Sequence, residues 1–326
     1  MNIVASMVRP LFRNPPVPRD TDDPALKPLA RVVITVLDCG FFAIANPRFD
    51  VLVPMLESRD TELQGFAYEG AGMGLAILDC WMPWRHHTRK FVTGPAARYK
   101  RAVYLGVGLA FARMGRDPQR FRRRLPDPFW NWCVFDGYGY LKGLLGKSRQ
   151  RYLQECAEPD KLRGYARRVF DHGLGRGIWF LGQGNAEPVG SIIERFPERR
   201  RPDLWSGVGY ACGYAGGGDY HALETLGKVA GQYGPNLAVG VAASARTRHE
   251  LGNPVQHNEV ACQVLCGLSS IEAARLADSA MRDLPPGNEE EPSYEIWRVR
   301  LRDALKEHLD GRPASPPASD DAAKRS

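Results

Sequence analysis

The chain has 326 residues, 44% of them apolar and 10% aromatic, with a formal net charge of +7, which is ordinary for a globular protein with a sizeable core. Residues 1–15 lack the charged start, apolar centre and cleavage site of a secretory signal. The most apolar run, residues 32–45, is interrupted by Asp38 and reads as too short to span a bilayer, so a soluble, cytoplasmic protein is expected. Seven cysteines, an odd number with no C-x-x-C pair, argue against a disulfide framework and read as reduced core residues.

In chain order, residues 1–24 are rich in Pro, Arg and Asp and read as a poorly ordered lead-in. Helical spacing of apolar residues then covers 61–80, 98–114, 129–145, 160–181, 203–215 and 220–233. It continues over 235–248, 259–267, 270–283 and 294–309, with breaks at Gly94-Pro95, Pro126-Asp127-Pro128 and Gly234-Pro235. The tail from 310 to 326 is Ser, Pro, Ala and charge without periodicity and reads as disordered. Strands have little support, so the expected class is all-α.

Three segments recur in one order at nearly one shift. Residues 63–67 and 162–166 are offset by 99, residues 67–74 and 169–177 by 102 to 103, and residues 105–110 and 206–211 by 101. A duplicated helical unit of about 100 residues is expected, spanning 25–158 and 159–283, with a C-terminal helix at 284–309. The two units would pack as one body, about a pseudo-two-fold axis or as a short α-solenoid.

Within those segments lie two glycine trios, Gly70, Gly72 and Gly74, then Gly173, Gly175 and Gly177. Each glycine costs about 1 kcal/mol relative to Ala inside a helix, so something must offset the trios. Two readings stand: close helix–helix packing through a glycine face, or a local break whose backbone holds a ligand. On the second reading Gly70, Gly74, Gly173 and Gly177, with the aromatic residues Tyr138, Trp179, Trp205 and Tyr210, would line a slot for a long apolar ligand.

Three carboxylates sit just ahead of glycine steps: Glu69, Asp136 and Asp171. Burying such a group is costly unless it is paired or functional. In a pseudo-two-fold arrangement Glu69 and Asp171 would be equivalent, would face one cavity and would suit acid–base work. The alternative is that each caps a helix or pairs with an arginine such as Arg113, Arg168 or Arg176. His257 and Glu259 are candidates to hold the ligand's polar part, although Asn258 and Glu259 also fit a helix start. No metal-ligand pair is present. Nucleotide and nucleophile-elbow motifs are absent, and no flavin, haem or nicotinamide signature is legible, so no cofactor is assigned. Arginines cluster at 120–124 and 199–201, a surface for an acidic partner or an ordinary solvated face; no nucleic-acid-binding pattern accompanies them.

The motifs at residues 65–71, 136–139, 173–180 and 203–209 together resemble a bacterial domain family of unknown function associated with enediyne polyketide biosynthesis, the UnbL-type enediyne proteins. The resemblance covers residues 28–283 and departs at His172 and Leu141, where the family often carries Gln and His. It implies an accessory protein that binds or processes a polyene or polyketide-derived chain with protein partners, one of them membrane-embedded. A non-catalytic scaffold for the hydrophobic intermediate is the alternative it leaves open.

Overall fold

A computed structural model describes residues 27–311; the lead-in at 1–24 and residues 312–326 of the expected tail lie outside the described residues. All regular structure among the described residues is helical. In chain order the α-helices are α1 (Lys27–Ala45), α2 (Phe49–Glu57), α3 (Gln64–Trp81), α4 (His87–Thr93), α5 (Lys100–Met114), α6 (Gln119–Arg122), α7 (Cys133–Leu144) and α8 (Gly146–Arg149). They continue with α9 (Tyr165–Leu181), α10 (Ala186–Glu194), α11 (Arg201–Ala215), α12 (Tyr220–Ala230), α13 (Gly234–Glu250), α14 (Gln256–Leu265), α15 (Ser270–Ala280) and α16 (Ser293–Asp310).

The odd-numbered helices from α1 to α13 build the core, and shorter helices connect them. Every residue of α3 from Gly65 to Asp79 is buried, as is every residue of α11 from Asp203 to Ala215. Such helices are buried on all sides, so neighbours approach them from more than one direction. α1 lies over the apolar run at residues 32–45, which by pattern alone does not declare a helix. This helix starts five residues before the apolar run, and its 19 residues are long and apolar enough to cross a membrane; no other single helix among the described residues is. In the fold it is more than half buried, with Gly40 and Ala43 against Gly74 of α3.

In three pairs of consecutive core helices, α1 with α3, α7 with α9 and α11 with α13, the two helices run in the same direction. Gly70 meets Val36 and Gly74 meets Gly40; Gly173 meets Asp136 and Gly177 meets Tyr140; Gly209 meets Leu237 and Gly213 meets Ser244. Helices aligned this way cannot be joined by a tight turn, because the chain must first return the length of a helix.

The glycines obey one rule. Taking Gly70 and not Gly65 as the first glycine of α3, and Gly240 and not Gly234 as that of α13, each first glycine from Gly106 onward lies on the carbonyl oxygen of the residue preceding the first glycine of the helix before it. Gly106 thus covers Glu69, Gly137 covers Leu105, Gly173 covers Asp136, Gly207 covers His172 and Gly240 covers Ser206, and a methyl group at any of them would come within 1.9–2.0 Å of that oxygen. Reciprocally, Gly72, Gly108, Gly139, Gly175 and Gly209 lie on carbonyls of the next helix, where a methyl group would come within 2.0–2.4 Å. Close packing is therefore what the glycines serve.

First glycines stand at 70, 106, 137, 173, 207 and 240, spaced by 31–36 residues. The recurring unit is one core helix with its connection, and the sequence offset near 100 spans three of them. Residues 158 and 159 mark no boundary in the packing, since α7 and α9 lie tightly together and one hydrophobic core runs through the chain. The path also turns back on itself. Tyr214 of α11 lies 4.8 Å from Phe66 of α3, the Arg248 Nη1 of α13 donates to the Glu62 carbonyl at 2.7 Å, and Arg98 Nη2 donates to the Glu250 carbonyl at 2.7 Å.

Candidate functional site

The residue before each first glycine has its carbonyl pinned under the next helix, which fixes its backbone inside the wound array. At Glu69, Asp136 and His172 that position carries an ionisable side chain, and all three are buried. They converge on Arg176, one turn beyond Gly173 on α9. Arg176 Nη1 donates to Asp136 Oδ1 at 3.1 Å, its Nη2 stands 3.8 Å from Glu69 Oε1, and His172 Nδ1 lies 3.3 Å from Asp136 Oδ2. That last pair are in ionic reach without the alignment of a hydrogen bond, and neither atom has another partner. The Tyr140 and Tyr210 rings flank the Arg176 guanidinium at 4.8 and 5.6 Å. Nearby, Arg101 stacks on Tyr210 at 4.2 Å and donates to Thr247 Oγ1.

The two carboxyls of the cluster are driven apart. Burial pushes Glu69 up from 4.5 to about 7, against the attraction of Arg176 and with the help of Asp136. Burial also raises Asp136, but Arg176 and His172 outweigh it and hold that carboxyl well below the usual carboxylate range. Burial pushes the His172 imidazole down, against the pull of Asp136. Asp136 is thus the fixed anion, and Glu69 is the group able to gain or lose a proton near neutral pH.

Beside Glu69 lies a narrow cavity of about 40 Å³. Val32, Val33, Val36 and Leu37 of α1 form one wall; Glu69, Tyr140, Arg176 and Tyr210 face it. Among the described residues Glu69 is the sole carboxylate on this wall and its carboxyl makes no hydrogen bond. At this volume the cavity holds a few water molecules and no chain. α1 is joined broadly to α3 through Gly70 and Gly74, whereas its seam with α11 is narrow, with Leu29 meeting Gly217 just beyond the end of α11.

Several expected site residues fall elsewhere. Asp171, one residue from His172, points to another part of the core, where Arg200 grips it with Nε at 2.9 Å and Nη2 at 2.6 Å. The position equivalent to Glu69 is His172, so the expected Glu69–Asp171 pair does not form. Gly70, Gly74, Gly173 and Gly177 are spent on helix contacts and are not on the cavity wall. Tyr138 packs toward Phe170 at 5.9 Å, Trp179 donates its indole N–H to the Gly216 carbonyl at 2.8 Å, and Trp205 is buried in the core. His257 Nε2 lies 3.3 Å from the Tyr214 carbonyl, one layer behind the cavity. Glu259 accepts from the Ser270 amide at 2.9 Å and so secures the start of α15. Of the expected ligand contacts, Tyr210 is on the wall. Arg176 had appeared only as a pairing candidate, and Arg101 and Tyr140 not as site residues at all. The signal for Arg176 was its place three residues after a first glycine, where α11 carries Tyr210.

Residues 19–305 match the family described as "Protein of unknown function (DUF1702)", and the chain belongs to that family. No curated protein and no solved structure matches it.

Proposed function

We propose that this member of the family takes an apolar polyene or polyketide-derived chain into the cavity beside Glu69, as an accessory protein of enediyne-type polyketide biosynthesis. The pathway rests on the resemblance of the sequence motifs. The chemistry rests on one observation: among the described residues, a single carboxyl without a hydrogen bond, titrating near 7, on the wall of an otherwise mostly apolar cavity. A group so placed gives a proton to, or takes one from, a ligand that brings no water with it. Asp136 stays ionised and keeps Arg176 in position behind it. Admission of a chain requires α1 to move, and its narrow seam with α11 is where the array opens.

The test is native mass spectrometry of the protein co-expressed with an iterative polyketide synthase, followed by release of bound molecules. The expected result is a conjugated hydrocarbon or acyl species, retained in Glu69→Gln while product formation is lost. A protein that never carries such a species, in a pathway that runs equally well without it, would overturn the reading. The alternative is a non-catalytic scaffold that holds the hydrophobic intermediate and docks partners through its surface arginines. It is favoured by the exposure of Arg123 and Arg124 and would leave product formation intact in Glu69→Gln.

A further inference from the structure

The segment between α3 and α4 carries the most exposed large apolar side chain among the described residues, Trp84, at 68% exposure, with Trp81 at 46%. This turn is rigidly held. Asp79 accepts from the backbone amides of His87 at 2.7 Å and Thr88 at 2.8 Å and from His87 Nδ1 at 3.0 Å, closing a loop over residues 79–88. His86 stands in the left-handed region at φ 53, which turns the chain sharply after Trp84. The indole is thus presented to solvent by a fixed support, although water is the costliest place for it.

Beside it runs a groove of about 380 Å³. Pro83, Phe121 and Leu125 give it an apolar floor, and Arg89, Arg123 and Arg124 stand on its rim. Arg85 and Lys90 add two more exposed cations in the same segment. Among the described residues none of these five is paired with a carboxylate. The groove's own acid, Asp79, is fully engaged by α4, and the nearby Asp117 is engaged by Gln119 at 2.9 Å.

An exposed indole beside an apolar groove rimmed by unneutralised cations is the composition of a surface that settles at a bilayer interface. Trp sits at the headgroup level and Arg and Lys meet anionic headgroups. We infer that this patch docks the protein directly on an anionic phospholipid membrane, with Trp84 entering the headgroup region and Arg89, Arg123 and Arg124 meeting lipid phosphates. The inference stands independently of the function proposed for the Glu69 cavity.

It is tested with the full chain and vesicles of phosphatidylcholine alone or mixed equally with phosphatidylglycerol. Co-sedimentation with the mixed vesicles is expected, falling as salt rises, with brominated lipid quenching tryptophan emission. At about 1 kcal/mol per surface cation, Arg123→Ala with Arg124→Ala should weaken binding about 30-fold. Trp84→Ala should abolish most of the quenching. All three side chains are exposed, and an unchanged melting temperature verifies the fold of each variant. Absence of binding to the mixed vesicles would overturn the inference. So would binding that neither variant weakens, or a patch that captures an acidic protein while ignoring the vesicles.

Discussion

Arg176 and Asp136, neighbours on α9 and α7, are joined by a single hydrogen bond of 3.1 Å between side chains that are 4% and 0% exposed. Asp136 is shielded from bulk solvent, so the guanidinium is the main reason its charge is tolerated. Arg176→Met should therefore cost about 3–5 kcal/mol, since it leaves a buried anion uncompensated. Arg176→Lys should recover only part of that, because a point charge cannot reproduce a planar group lying between Tyr140 and Tyr210. Adding Asp136→Leu to Arg176→Met should restore most of the loss. Urea unfolding measures all three, and a cost below about 1 kcal/mol for Arg176→Met would remove Arg176 from the centre of the site.

The raised carboxyl of Glu69 has a definite consequence for stability. An unfolded Glu titrates near 4.5 and the folded one near 7, so between those values the folded protein holds a proton that the unfolded chain has released. The contribution of Glu69 is fully present below 4.5 and is lost as pH rises to about 7. Its total is about 3 kcal/mol. Other groups titrate in this window, so the measurement is the difference between wild type and Glu69→Gln. That difference should shift in favour of the variant from pH 4.5 to 7 and then level off. A difference that stays constant across the window would place Glu69 at its ordinary value.

The reciprocal glycine contacts predict a sharp contrast between glycines in one protein. At Gly106 a methyl group would stand 1.9 Å from the Glu69 carbonyl and 2.7 Å from the Met73 amide, both backbone atoms that cannot step aside. Gly106→Ala should cost at least about 3 kcal/mol or prevent folding. Gly227, inside α12, meets the end of the Leu265 side chain at 3.4 Å and nothing closer. Gly227→Ala should be neutral or stabilise by up to about 1 kcal/mol, by restricting the unfolded chain. Thermal unfolding compares them directly, and equal melting temperatures would mean the core helices slide apart at little cost.

The parts of this fold that were legible in the sequence are those that local pattern determines. Helical periodicity marks α3, α5, α7, α9 and α11 because Gly and Pro break the chain between them, and the glycine steps announce close packing. α1 is hidden because it lies in the apolar run of residues 32–45, and an apolar run does not by its pattern alone distinguish helix from strand. The offset near 100 was visible, whereas the unit of 31–36 residues was not, because the side chains around its glycines change from helix to helix. Glu69 precedes Gly70 as Asp136 precedes Gly137, but at the same place α5 has Leu105 and α11 has Ser206. For the same reason Asp171 looked like the partner of Glu69. One residue separates it from the inward position, and in a helix one residue is a turn of about 100°. That rotation sends Asp171 to Arg200 and leaves His172 facing Asp136.

The cavity itself can be tested without touching a charge. Ala211 lies on its wall and is 2% exposed, so Ala211→Val places two methyl groups where the free space is. Filling a cavity of about 40 Å³ in this way should change stability by less than about 1.5 kcal/mol. A polyene-derived chain should no longer be retained, because the added methyl groups take the space the chain needs when α1 moves aside. Glu69→Gln has the opposite profile, with retention kept and proton transfer lost. The two variants separate the container from the chemistry. If Ala211→Val retained the chain at wild-type level while folding normally, the ligand would have to bind elsewhere. The groove beside Trp84 would then be the next place to look, since it is wider and open to solvent.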